Sequence, residues 1–219
     1  VRRGERAFTL IELLVVVALI AGLSIFLIAG WRDNKAAALQ SSQTVVGNLL
    51  SAARMRAVAS GQGARLLFHI DAESPWAARR YLRYVVLQVS DGAEWTTVSE
   101  AYLAPDVYVV PRDPTAMEGL LPEGVAWTRP SDGGTLRSTA LRATDEVTLE
   151  IGAATVERWA GIGFSERGST ASSGDVVLAV GRKNAGGAIA VVLESPELVR
   201  GFALSRYGIA TEVSGRAGF

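Results

Sequence analysis

The sequence predicts an α+β protein, in which a long N-terminal helix with a membrane-spanning first half packs on a C-terminal antiparallel β-sheet domain. Three observations lead there. Residues 13–31 are 19 consecutive uncharged, mostly apolar positions. Apolar residues then recur at helical spacing as far as a pair of glycines, Gly61 and Gly63. Beyond residue 63 the pattern changes to short runs rich in β-branched and aromatic residues, separated by Gly, Asp, Ser and Pro.

The first element is the apolar run. A helix of 19 residues spans roughly 28 Å, close to the thickness of a bilayer's hydrocarbon core. Arg2, Arg3 and Arg6 precede it and favour a cytoplasmic N-terminus, which puts everything after Trp31 outside the cytoplasm. A secretory signal peptide would have a shorter apolar core and a small-residue cleavage site after it. A plain signal anchor fits the length but gives no reason for Glu12, the one charge between Leu10 and Trp31. A carboxylate beside a membrane span is costly, which makes it a functional residue by default.

The helical pattern continues past Trp31. Leu39, Val46, Leu50, Ala53 and Ala57 follow one another at spacings of 7, 4, 3 and 4 and so share one face, while Arg32, Asp33, Lys35, Gln40, Asn48 and Arg54 fall mostly elsewhere. Gly61 and Gly63 mark the end, giving one helix from about residue 9 to 60. Strands are expected at 64–70, 79–89, 96–103, 106–110, 146–151, 160–164, 175–180, 188–193 and 198–204. The turn Asn184-Ala185-Gly186-Gly187 reads as a hairpin between two of them. Residues 111–144 are the least patterned and read as a long loop or insertion. The pattern divides the chain into an apolar helix ending at 31, an amphipathic helix half at 32–62 and a β-rich domain at 63–219. The resemblance of residues 7–14 to a known processing motif implies in addition a leader at 1–7 and so a membrane helix at 8–31.

Composition narrows the function. Apolar residues make up 49% and charged residues 20%, which supports a buried core and not a disordered chain. Basic and acidic residues balance at 22 each; loss of residues 1–7 would remove three arginines and one glutamate, leaving two more acids than bases. That balance does not suggest a nucleic-acid partner. With no cysteine, disulfides, thiolate metal sites and cysteine nucleophiles are excluded.

The segment Ala7-Phe8-Thr9-Leu10-Ile11-Glu12-Leu13-Leu14 closely resembles the processing motif of type IV pilins and type II secretion pseudopilins. The resemblance implies that a prepilin peptidase cuts between Ala7 and Phe8 and methylates the new amino group of Phe8. Glu12 then stands fifth in the mature chain, where the family places an assembly glutamate. In a filament that carboxylate approaches the N-terminal amine of a neighbouring subunit, neutralising two buried charges and setting the axial register. Ala7 replaces the usual Gly, so slower cleavage is expected. A cut after Gly4 is rejected, because it would put Thr9 fifth. Val1 is compatible with a non-Met start codon, which would make the chain a complete precursor.

Residues 50–61, the Ile162-Gly163-Phe164 run followed by Gly168, and the late pair 188–193 and 204–213 around Gly208 resemble GspH/FimT-like minor pseudopilins and minor pilins. This implies a pilin-like fold and partners of a definite kind: prepilin peptidase, other pilins or pseudopilins, and the inner-membrane assembly platform. The location implied is the inner membrane, single-pass with a periplasmic domain, and then the filament. No cofactor is implied. The alternative is a FimT-like minor pilin that takes up DNA, with Arg200 and Arg206 as candidate contacts; Glu194, Glu197 and Glu212 interleave with the late arginines and weaken that footprint.

No catalytic set converges. His69, the single histidine, lies in an alternating strand and reads as a surface or satisfied side chain. Ser169, Ser172 and Ser173 lack a nucleophile-elbow pattern, and Gly161-Ile162-Gly163 lacks the glycine spacing of a phosphate loop. Asp132 and Asp145 could contribute to a calcium loop, but the alternating acidic spacing of such a loop is missing.

Overall fold

The stripe of apolar residues after Trp31 becomes the buried face of helix α1, Leu10–Ser60. Leu39, Val46, Leu50, Ala53 and Ala57 are all buried, as their spacing predicts. The helix stops where Gly61 turns to a φ of +64°, a conformation that costs glycine little. This computed structural model describes residues 10–147, 157–184 and 191–219, with the backbone alone at 10, 12, 21–33 and 145–147. Among the described residues no helix is long and apolar enough to cross a membrane. The described side chains of the apolar run end at Ile20, so the expected span of 13–31 is only partly covered. The chain divides into two units, residues 1–37 and 38–219.

Within the second unit the rest of α1 packs with two antiparallel sheets. The first has the order β3-β2-β1-β6-β5. Its strands are β1 (Ala64–His69), β2 (Tyr84–Ser90), β3 (Trp95–Tyr102), β5 (Arg142–Val147) and β6 (Glu157–Phe164). The second has the order β10-β9-β7-β4, with β8 also paired to β7. Its strands are β4 (Val107–Val109), β7 (Gly174–Lys183), β8 (Val191–Leu193), β9 (Val199–Leu204) and β10 (Ala210–Ser214). A short 3-10 turn, Arg216–Gly218, follows. The α+β class with antiparallel sheets is as the sequence predicts.

Side-chain alternation gives the first sheet two buried faces. Leu66, Phe68, Val85, Leu87, Ile162 and Phe164 join the helix stripe and the strands of the second sheet in the main core. Leu67, Tyr84, Val86 and Trp159 form a separate cluster on the outer face. Polar anchors fix the helix to the strands. The Ala104 N–H donates to Ser42 Oγ at 2.9 Å, and Gln43 Nε2 donates to the carbonyls of Gly201 (2.9 Å) and Val213 (3.1 Å).

Three expected elements differ. The strand foreseen at 79–89 begins only at Tyr84. The Ser74 hydroxyl and carbonyl accept from the N–H groups of Trp76 and Ala77, curling the chain into helix α2, Ala77–Arg80. The strand foreseen at 146–151 begins earlier, at Arg142, while residues 148–156 lie outside the described residues. Within 111–144, otherwise mostly irregular, Asp113 caps helix α3 (Pro114–Glu118) by accepting the Thr115 N–H at 3.0 Å, with Pro114 in the first turn. Lys183 pairs with Val191 across β7 and β8, as in the expected hairpin, whose turn residues 185–190 lie outside the described residues.

Gly201 is required by close approach. A Cβ there would come within 1.8 Å of the Val176 carbonyl oxygen. Gly201→Ala is expected to cost about 3 kcal/mol or prevent folding, since the clash is with sheet backbone. Urea titration of the chain in detergent, followed by tryptophan fluorescence, checks this.

Candidate functional site

The residues that carry the processing motif sit at the start of the chain. Ala7 and Phe8 lie outside the described residues. Helix α1 is formed from Leu10, so Glu12 falls in its first turn; the side chain of Glu12 is likewise outside the description. Around it Ile11, Leu13, Leu14, Val15, Val16, Val17, Leu19 and Ile20 are all 47–71% exposed. Five consecutive residues advance about 400° around a helix, so this surface is apolar on every side. One partner face would cover only part of it; the segment needs an apolar surround. Covering these eight side chains is worth on the order of 10 kcal/mol. A carboxylate placed in such a surround requires a cationic partner.

The candidate DNA contacts have different environments. Arg200, on β9, donates from one guanidinium nitrogen to Gln43 Oε1 at 3.1 Å and to Ser214 Oγ at 3.2 Å. It thereby completes the bonding of the buried Gln43 amide, whose nitrogen holds two sheet carbonyls. Arg206 is exposed in the turn between β9 and β10, and its guanidinium lies 5.4 Å from the centre of the exposed Tyr207 ring.

His69 is fully buried at the end of β1, where it meets Trp159 edge-on at 5.1 Å between ring centres. Its Nε2 is 3.6 Å from Glu157 Oε1, and neither ring nitrogen makes a hydrogen bond. Glu157, on β6, is held instead by the Ser74 hydroxyl at 2.6 Å and the Arg80 guanidinium at 3.5 Å. Arg80 lies between the rings of Trp76 and Tyr84, 5.2 and 5.0 Å from their centres. Burial holds His69 below its ordinary pKa, outweighing the upward pull of the Glu157 and Asp71 charges. The serine donates to the carboxylate and not to the histidine, so the group does not form an activated nucleophile.

The other residues singled out in the sequence do not converge. Asp132 pairs with Arg129 at 2.7 Å and accepts the Gly134 N–H at 2.9 Å, which closes a turn; the side chain of Asp145 is outside the description. Ser169 shares a hydrogen bond with Ser165, Ser172 is buried and Ser173 is exposed. Among the described residues no group of three His, Asp or Glu could hold a metal ion.

A family model, the prokaryotic N-terminal methylation motif, matches residues 2–29. The chain thus carries the prepilin-type N-terminal motif, which supports a type IV pilin-like class of protein processed by a prepilin peptidase. The match covers residues 2–29, which include the first part of α1, and does not reach the β-rich domain. No curated protein and no solved structure matches the chain.

Two residues of consequence escape sequence reasoning. Gln43 falls inside the buried stripe, four residues after Leu39 and three before Val46, and a polar residue at such a position is a signal for a buried hydrogen bond. Glu157 has no comparable signal, because its partners come from segments 77 and 83 residues away in the chain. Arg200→Ala is expected to lower stability by about 1 kcal/mol through its lost bonds to Gln43 and Ser214. Arg206→Ala should stay within about 0.5 kcal/mol of the parent, as befits an exposed side chain. Paired urea titrations distinguish the two.

Proposed function

We propose that this chain is a minor pseudopilin of the GspH/FimT-like kind, a structural subunit of a type II secretion pseudopilus or type IV pilus and not an enzyme. It enters the inner membrane with a cytoplasmic N-terminus and a periplasmic β-rich domain. Prepilin peptidase cuts between Ala7 and Phe8 and methylates Phe8. The subunit then joins other pilins or pseudopilins through the inner-membrane assembly platform, with Glu12 facing the amine of a neighbour. The observation that carries this reading is the match of the methylation motif over residues 2–29, joined to a helix start that is apolar on every side.

A second reading, a FimT-like minor pilin that binds DNA, is favoured by one feature: Arg206 beside the exposed Tyr207 ring offers a cation and a stacking surface together. Arg200, the other candidate contact, has one guanidinium nitrogen engaged by Gln43 and Ser214.

Co-expression with a prepilin peptidase, followed by intact-mass measurement and N-terminal sequencing, tests the first reading. The expected product begins at N-methylated Phe8; a chain still carrying residues 1–7 after full exposure to the peptidase would refute it. Glu12→Ala should leave cleavage nearly unchanged but abolish incorporation into filaments. For the second reading, a duplex titrated into the processed chain at low salt is expected to show no affinity that Arg206→Ala removes. An affinity that falls steeply with salt and disappears in that variant would decide for DNA uptake.

A further inference from the structure

Residues 111–144, the stretch with the least sequence pattern, carry three arginines that the fold brings together. The Arg137 guanidinium donates to the Arg112 carbonyl at 3.2 Å. The Arg112 guanidinium in turn donates to the carbonyl of Leu141, the neighbour of Arg142, at 3.4 Å. Arg112 and Arg137 are half-buried and Arg142 is exposed. The backbone that carries them is pinned to one place on β7. There the Val110 N–H donates to the Val177 carbonyl at 2.8 Å. The Ser138 hydroxyl donates to the same carbonyl at 3.3 Å and accepts the Val177 N–H at 2.9 Å. One residue further, the Ala140 N–H donates to the Asp175 carbonyl at 2.9 Å. The arginines are thus mounted on backbone that the sheet holds in place, which is the condition for a preformed site.

Among the described residues no carboxylate forms an ion pair with any of the three. The nearby acids in the chain are turned to other work: Asp113 caps α3, and Asp132 and Asp175 both pair with Arg129. Burial and the like charges of Arg142 and Arg137 all press the Arg112 pKa down. An arginine nevertheless stays charged at any ordinary pH, so the repulsion is not relieved by loss of a proton. Like charges held together in a half-buried place are costly unless an anion joins them. The two carbonyl bonds do not explain the cluster, since they use one nitrogen from each of two side chains and need no third arginine. They fix how the guanidinium forks lie while leaving most of their five N–H donors without an acceptor among the described residues.

We propose that Arg112, Arg137 and Arg142 form a binding site for a divalent oxyanion of the phosphate type. Three fixed cations call for a compact ligand with more than one negative charge and several acceptor oxygens, and a phosphate group has both. A single carboxylate, with one charge and two oxygens, would leave two of the three arginines uncompensated. Guanidinium forks also match the spacing of phosphate oxygens, which a lysine cluster would not. Free phosphate and the phosphate of a lipid headgroup share this chemistry. The site is independent of the processing motif at residues 2–29 and stands whether or not the chain enters a filament.

The test is a titration of the full chain in a non-ionic detergent, above neutral pH, read by thermal midpoint and by the arginine Nε–H resonances. Three solutes are compared: inorganic phosphate, glycerol phosphate as the soluble counterpart of a lipid headgroup, and sodium chloride at matched ionic strength. Phosphate is expected to raise the midpoint saturably and to shift the Arg112 and Arg137 resonances, while chloride does neither. Arg142→Gln should weaken the phosphate affinity about tenfold. Because the Arg142 side chain holds nothing else in the described fold, that variant should keep the parent's midpoint in chloride or exceed it. Arg112→Gln should weaken binding as much; if it fails to fold, Arg142→Gln decides alone. A response to glycerol phosphate as strong as that to phosphate supports the site and assigns it to a headgroup. A response to inorganic phosphate alone supports it and assigns it to the free ion. An equal response to chloride, or an unchanged affinity in Arg142→Gln, overturns the proposal.

Discussion

Everything in the β-rich unit is arranged around one stripe of the helix, from Leu39 to Ala57, buried against strands of both sheets. The stripe is made of small and medium apolar residues, among which Val46, Ala53 and Ala57 are fully buried. Residues from the two sheets and from this stripe belong to one core. The same helix begins with a segment that is apolar on every side. A water-facing domain can cover a stripe, but it cannot cover a full cylinder, so the two parts of α1 require different surroundings.

Close packing of helix on sheet buries backbone and side-chain polar groups, and the protein meets that cost with a few long-range hydrogen bonds. Gln43 is one example. It has no apolar substitute of equal value, because removing the amide would strand two strand carbonyls and the Arg200 guanidinium together. Glu157 is the other, where one carboxylate gathers Ser74, Arg80 and the neighbourhood of His69. The first seam is fully paired and stabilises the fold. The second leaves both imidazole nitrogens of His69 without a hydrogen bond.

Much of the fold was legible because its periodicities are strong. The helix stripe followed from spacings of 7, 4, 3 and 4, and strands β1, β3, β4, β7 and β9 were foreseen to within a few residues. The stretch 79–89 was misread because Arg79 and Arg80 stand beside Tyr81, Tyr84, Val85 and Val86, a run whose composition suits a strand. What ends the strand at Tyr84 is the Ser74 turn and the pull of Glu157 on Arg80, contacts that span up to 83 residues. For the start of the chain the case is reversed: the prepilin-type motif, matched over residues 2–29, was legible from local sequence alone, since such a motif is a linear segment.

The sequence by itself determined the prepilin-type start, the extent of α1, the buried face of its later part and the α+β class. These depend on neighbours a few residues apart, where chemistry and spacing are visible in one dimension. Only the tertiary structure decided that Arg200 completes the hydrogen bonds of Gln43, that Arg206 remains exposed beside Tyr207, and that His69 is buried against Glu157. Each of those outcomes depends on which distant strand lies alongside. Burial and pairing there are set by strand order and register, which no local pattern encodes.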